Sequence, residues 1–201
     1  MFKIEHITQY SFSDAPVHSV QRLNLTPQHS DSQNVKNWQI TIHGAEIVLS
    51  SRDHHGNLFH LASQQTKTSE IKISASGEVK TTDSFGVVGP HDNLLPLELF
   101  RHETRLCKFG PYMRQIEAEL PKKTDDLGFL HEISAAVLDK VKYEKAQTTV
   151  ETDAENAAAL GVGVCQDHVH IFLTLVRRQS FAARYVLSLI HISEPTRPSV
   201  I

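Results

Sequence analysis

The periodicity of the hydrophobic residues changes once along this chain, and that change decides the fold class. Over about the first hundred residues apolar side chains alternate with polar ones. Trp38, Ile40 and Ile42 do so, as do Ile71, Ile73 and Ala75, which is the pattern of a strand with one face buried. Residues 3–12 are rich in Ile, Thr, Tyr and Phe, and 17–25 lie between Pro16 and Pro27. Residues 47–49 follow the His43-Gly44 turn, and Leu58, Phe59 and Leu61 follow the turn-forming run Asp53-His54-His55-Gly56-Asn57. Gly77 precedes a last short segment around Val79. Short strands punctuated by Gly, Pro, Asn and Asp predict an antiparallel sandwich or barrel.

Residues 83–96 are rich in Gly, Pro and Asn and read as a linker. Helical periodicity then takes over. A short helix is expected over 112–120, ended by Pro121. Asp125 or Asp126 can cap a helix whose apolar face carries Leu130, Ile133, Val137, Leu138 and Val141. Thr148, Thr149 and Val150 form a β-prone connection, and Asp153 caps a helix from Glu155 to Leu160 that Gly161 and Gly163 stop. A further helix places Val169, Phe172, Leu173 and Val176 on one face, and residues 182–186 return to a strand-like pattern.

Composition narrows the function. The net charge of −3 and the lack of a basic run speak against a nucleic-acid footprint. The N-terminus has no apolar signal core, and no stretch approaches a membrane span, so no membrane association is expected. With only two cysteines, Cys107 and Cys165, no disulfide framework is expected, and a reduced cytoplasmic setting fits. Thirteen histidines are scattered through the chain. His131-Glu132 resembles the start of a zinc motif, but Ala135 stands where the second histidine belongs. His54, His55 and His60 flank a turn, and a metal protein built on them is the weakest of the readings carried forward.

The stretch from Gly161 to Val186 carries the chemistry. Two glycines turn the chain and deliver Cys165 to the first turn of a helix. There, unpaired backbone N–H groups and the positive end of the helix dipole stabilise a thiolate. One reading makes Cys165 a nucleophile, with its own N–H as an oxyanion donor. The other makes it a small buried hydrophobe at a helix start. Nucleophilic catalysis needs a base, normally a histidine oriented by a carboxylate or amide. Within the helix only His168 lies one turn away, on a neighbouring face, and His170 points elsewhere. Cys165, Asp167, His168 and His170 spread around the helix axis and cannot all converge on one ion. Cys107 is expected to be structural or a surface thiol.

Gly163-Val164-Cys165-Gln166-Asp167-His168 resembles the nucleophile motif of bacterial transglutaminase-like proteins, and Ala183-Arg184-Tyr185-Val186 resembles the strand that follows in that family. Tyr10-Ser11-Phe12, Pro16-Val17, Leu23-Asn24-Leu25-Thr26-Pro27 and the Asp53–Asn57 run are similar to its β-rich N-terminal region. The resemblance implies an α+β chain: an antiparallel β-sandwich-like domain over 1–96, then part of a papain-like, transglutaminase-like core over 97–186. It implies a thiol acyl-transfer enzyme, a cysteine peptidase, amidase or transglutaminase acting on a protein or peptide substrate without a cofactor. It assigns the nucleophile role to Cys165 alone and gives Asp167 a structural role at the helix start.

Beyond Val186 the sequence departs from that family, whose catalytic histidine and orienting aspartate come later in the chain. Residues 187–197 resemble the in-frame translation of a transposon-type sequencing adapter, so 187–201 is read as a non-native tail and His191 is not nominated as the base. Loss of the later strands predicts an inactive fragment in which Phe172, Leu173 and Val176 are partly exposed. A non-catalytic scaffold, binding a partner through the same core, is the alternative function.

Overall fold

Six strands build the first part of the chain: β1 (Phe2–Ser11), β2 (Ser19–Leu23), β3 (Gln33–His43), β4 (Glu46–Arg52), β5 (Leu58–Gln64) and β6 (Glu70–Thr81). They were traced in a computed structural model that describes residues 1–64, 66–83, 85 and 95–186. The strands form two antiparallel three-stranded sheets, ordered β1-β6-β3 and β2-β5-β4. Leu23 and Ala62 from one sheet pack with Ile71 and Ile73 from the other, and Ile40 and Ile42 join them. The alternating residues therefore face each other across a sandwich, as the period-two pattern requires.

Gly77 does not break the last strand. It lies inside β6, opposite Ile4 of β1. A Cβ there would meet Trp38 Cε3 at 2.6 Å and Trp38 Cα at 2.9 Å. The register of β3 shifts between Lys36 and Gln39, and Asn37 takes a φ of +51°. This bulge swings Trp38 over the glycine, and the indole donates to Leu25 O at 2.9 Å. One buried polar side chain is fully satisfied: Gln64 donates to Pro16 O and Thr66 O and accepts from Ser19 Oγ.

The expected linker falls mostly outside the described residues, as does the whole of 187–201. The backbone divides into two compact units, Met1–Leu95 and Pro96–Ile201. The described part of the second begins with a 3₁₀ turn, Leu97–Arg101, and continues with α1 (Pro111–Glu119), α2 (Asp126–Lys140), β7 (Lys142–Tyr143), α3 (Ala154–Leu160), β8 (Val162–Gly163) and α4 (Cys165–Arg178). Local chemistry explains the helix starts. Asp125 accepts from Gly128 N at 2.6 Å and Asp153 from Asn156 N at 2.9 Å. Glu155 reaches across to the start of α1, accepting from Tyr112 N and Met113 N.

Packing reassigns several faces. In α2 the buried residues are Phe129, Ile133 and Val137, whereas Leu138 is exposed. In α4 the predicted face is only half of what is covered. Ile171 and Leu175 are fully buried with Met113, Ile133 and Ala157, and Leu173 and Val176 are buried too. The expected exposure of Leu173 and Val176 is therefore wrong, because α1, α2 and α3 all pack around α4. Thr148–Val150 is no strand but leads into a turn closed by Thr152 N donating to Thr149 O at 3.0 Å, and 182–186 has no strand pairing. Instead Ala183 N donates to Phe100 O, and Arg177 donates twice to Ala183 O.

Gly77→Ala is expected to lower stability by about 1–3 kcal/mol, because the new methyl must displace the backbone of the Trp38 bulge; urea denaturation followed by tryptophan fluorescence measures it.

Candidate active site

The approach to Cys165 is built from backbone geometry. Gly161 ends α3 in the left-handed region, with a φ of +66°. Val162 and Gly163 then pair in parallel with Lys142 and Tyr143, through Lys142 N to Gly161 O at 2.9 Å and Glu144 N to Gly163 O at 2.8 Å. Gly163 is obligatory for a spatial reason. A Cβ there would lie 2.8 Å from Asp167 Cβ and Oδ2.

Asp167 occupies the third position of α4 and is buried. Its Oδ2 accepts from Val164 N at 2.7 Å and from Thr148 Oγ at 2.6 Å. Val164, the N-cap, has no polar side chain with which to return the bond, so Asp167 alone closes this end of the helix. Its charge also complements the helix dipole. The result is a rigid entry that leaves Cys165 as the first helical residue, exposed to solvent.

His168 is close in sequence but committed elsewhere. Its Nδ1 lies 2.9 Å from Val164 O and its Nε2 lies 2.8 Å from Val141 O. The ring stacks on Tyr143 with centroids 6.3 Å apart. Both ring nitrogens face backbone carbonyls, so neither is left for the thiol. His168 clamps the start of α4 to the end of α2.

His170 faces the other side. Its Nδ1 lies 3.8 Å from Cys107 Sγ, both residues being buried, and its ring stacks on Tyr185 at 5.6 Å. Burial pushes its pKa below the ordinary value, the Asp167 carboxylate pulls against that, and Arg177 adds to the lowering. Burial raises the pKa of the Tyr185 phenol, and the charge of Cys165 raises it further. Cys107 is thus no surface thiol. The Cys107–His170 contact spans 63 positions, and no motif or spacing announces it. The role of Thr148 is equally silent in the sequence, since a loop threonine has no signature for a carboxylate 19 positions away.

Comparison with known proteins matches residues 2–80 to the bacterial transglutaminase-like N-terminal region and residues 114–197 to the transglutaminase-like superfamily. Uncharacterized proteins of Mycobacterium tuberculosis and Mycobacterium bovis are 26% identical over 202 residues. That alignment covers 92% of this chain and 64% of each relative, so the chain spans less than two thirds of their length. The crystal structure of a "putative cysteine protease" from Cytophaga hutchinsonii aligns with a TM-score of 0.70 at 18% identity, covering 89% of this chain and 63% of that one. At that identity the likeness speaks for the fold.

Asp167→Ala is expected to cost at least about 2 kcal/mol, since it leaves the Val164 N–H and the Thr148 hydroxyl without their acceptor; thermal unfolding measures it. A pH effect follows from His170. Because its folded pKa lies below the unfolded value, the unfolded chain binds the proton more tightly. The favourable contribution is complete above the ordinary histidine value of 6.5 and is lost as pH falls through the lower, folded value. Melting temperatures taken from about pH 8 to about pH 5 should fall, and His170→Gln should flatten that fall.

Proposed function

We propose, since the chain belongs to the transglutaminase-like superfamily, that Cys165 is the nucleophile of a thiol acyl-transfer enzyme acting on the amide groups of a protein or peptide. The observation that carries this reading is the exposed thiol at the first residue of α4, a helix start that the buried Asp167 carboxylate fixes through Val164 N. The Cys165 N–H is among the donors that a helix start leaves without intrahelical partners. It lies beside the sulfur, where an oxyanion would form. Attack by the thiolate on the amide carbon gives an acyl-thioester and releases the amine, which takes up a proton from the base. Water or a second amine then resolves the thioester.

The base on this reading comes from outside the described residues. His168 and His170 are each engaged by other groups. Residues 1–96 form the N-terminal β-domain and 97–186 belong to the catalytic core. Among the described residues no helix is long and apolar enough to cross a membrane, and the setting proposed is cytoplasmic. The engagement of both helix histidines also favours a second reading, a scaffold that binds a partner through the same core without turnover.

Residues 1–201 incubated with an activated acyl ester should form an acyl adduct on Cys165, detectable by intact-protein mass spectrometry and absent from Cys165→Ala. Sustained amide turnover should be slower by several orders of magnitude than in a complete triad enzyme. Acylation of Cys165 no faster than in the denatured chain would favour the scaffold.

A further inference from the structure

His170 lines an open cleft of about 290 Å³, with Cys107, Arg177 and Tyr185 beside it. The acyl-transfer reading uses none of these four residues for its chemistry. The imidazole is enclosed between two neighbours. Cys107 Sγ lies 3.8 Å from its Nδ1, and the Tyr185 ring stacks on it with centroids 5.6 Å apart and planes 28° from parallel. His170 is left 8% exposed.

The two neighbours are fastened to different degrees. The chain at Cys107 is bonded on both sides, Cys107 N to Thr104 O at 2.9 Å and Ala154 N to Leu106 O at 2.9 Å. Residues 182–186 have no strand pairing and are tied at Ala183, whose N–H donates to Phe100 O and whose carbonyl accepts twice from Arg177. Tyr185 lies two residues beyond that tie and is already 37% exposed. It can leave the imidazole without opening a helix or a turn, whereas Cys107 cannot.

We propose that His170 is a proton-operated latch: its protonation releases Tyr185 from the ring and opens the cleft. A docked imidazolium is cut off from water and shares the cleft with the Arg177 guanidinium, and both effects oppose the charge. Asp167, one turn earlier on α4, pulls the other way, but its carboxylate already accepts from Val164 N and Thr148 Oγ. Of the other charged and titratable groups on the cleft, Arg105 is ion-paired with Glu151, and Cys107 and Tyr185 are the two neighbours themselves. The docked ring therefore holds a proton less tightly than one released to water, whose ordinary pKa is 6.5. The released state binds the proton more tightly, so it gains population as pH falls through that value. A single proton allows a gain of at most about tenfold per pH unit, and the gain ends below the docked value.

The buried Cys107 thiol reports the opening. The 201-residue chain is treated with 4,4′-dithiodipyridine from about pH 8 to about pH 5, and labelling of each cysteine is followed by peptide mass spectrometry. Each rate is divided by that of the same cysteine in the urea-denatured chain at the same pH. The Cys107 ratio should rise as pH falls below 6.5, while that of the exposed Cys165 stays level. Amide exchange over 169–176 should remain protected throughout, which separates release of Tyr185 from unfolding of the unit. His170→Gln should keep the Cys107 ratio flat, and Tyr185→Ala should raise it at pH 8 and remove most of its pH dependence. The proposal is overturned if the Cys107 ratio is flat or falls toward pH 5, if exchange over 169–176 rises in step with it, or if Tyr185→Ala leaves the wild-type profile unchanged.

Discussion

The Asp167 carboxylate is buried, and it is held there by two neutral donors, the Val164 N–H and the Thr148 hydroxyl. A carboxylate taken out of water is costly unless such bonds replace its hydration, and each hydrogen bond to a charged group contributes about 1.5–3 kcal/mol. Several features of the second unit follow from this requirement. Gly163 must lack a side chain because the carboxylate occupies that space. The turn over 148–152 must come close enough to supply a hydroxyl. The first turn of α4 is then fixed, and the neighbouring thiol is presented to solvent without having to support the helix itself.

His168 extends the same constraint to α2. Its ring bridges the carbonyls of Val164 and Val141, so the start of α4 and the end of α2 share one side chain. The short β7–β8 pair ties the same two points through the backbone. Helix α4 has no free apolar face on which to slide: Ile171 and Leu175 are fully buried in the helical core, and Leu173 and Val176 are covered as well. The nucleophile candidate therefore stands on the helix with the most buried residues among those described in its unit, the kind of support that holds a reacting group within a fraction of an ångström of its working position.

How much of this could be read in advance depended on the range of each interaction. The caps at Asp125 and Asp153 were legible because a cap is satisfied within three residues. The sandwich was legible because alternation reports one buried face. The exact helix faces were not. Leu138 satisfies the spacing as well as Phe129 does, and only the position of the neighbouring helices decides that one is exposed and the other buried. The role of Gly77 has no local signal, because a strand glycine announces neither a turn nor a close approach by itself and its partner Trp38 lies on another strand. The place of Cys165 at a helix start was legible from the glycines before it, whereas the Cys107–His170 contact depends on two segments that meet only when the unit is folded.

The parallel pairing of Lys142–Tyr143 with Val162–Gly163 has a further consequence for how such a chain can diversify. It closes an excursion of roughly twenty residues whose two ends are already fastened, so lengthening its outer part adds only the slowly growing entropy of a longer loop, about 0.6 kcal/mol per doubling. Residues 144–147 are all exposed, and Ala146 already takes a left-handed φ of +64°. Insertions there would enlarge the surface that flanks the thiol while the thiol itself stays in place. Chains built on this frame can acquire new rims around an unchanged centre.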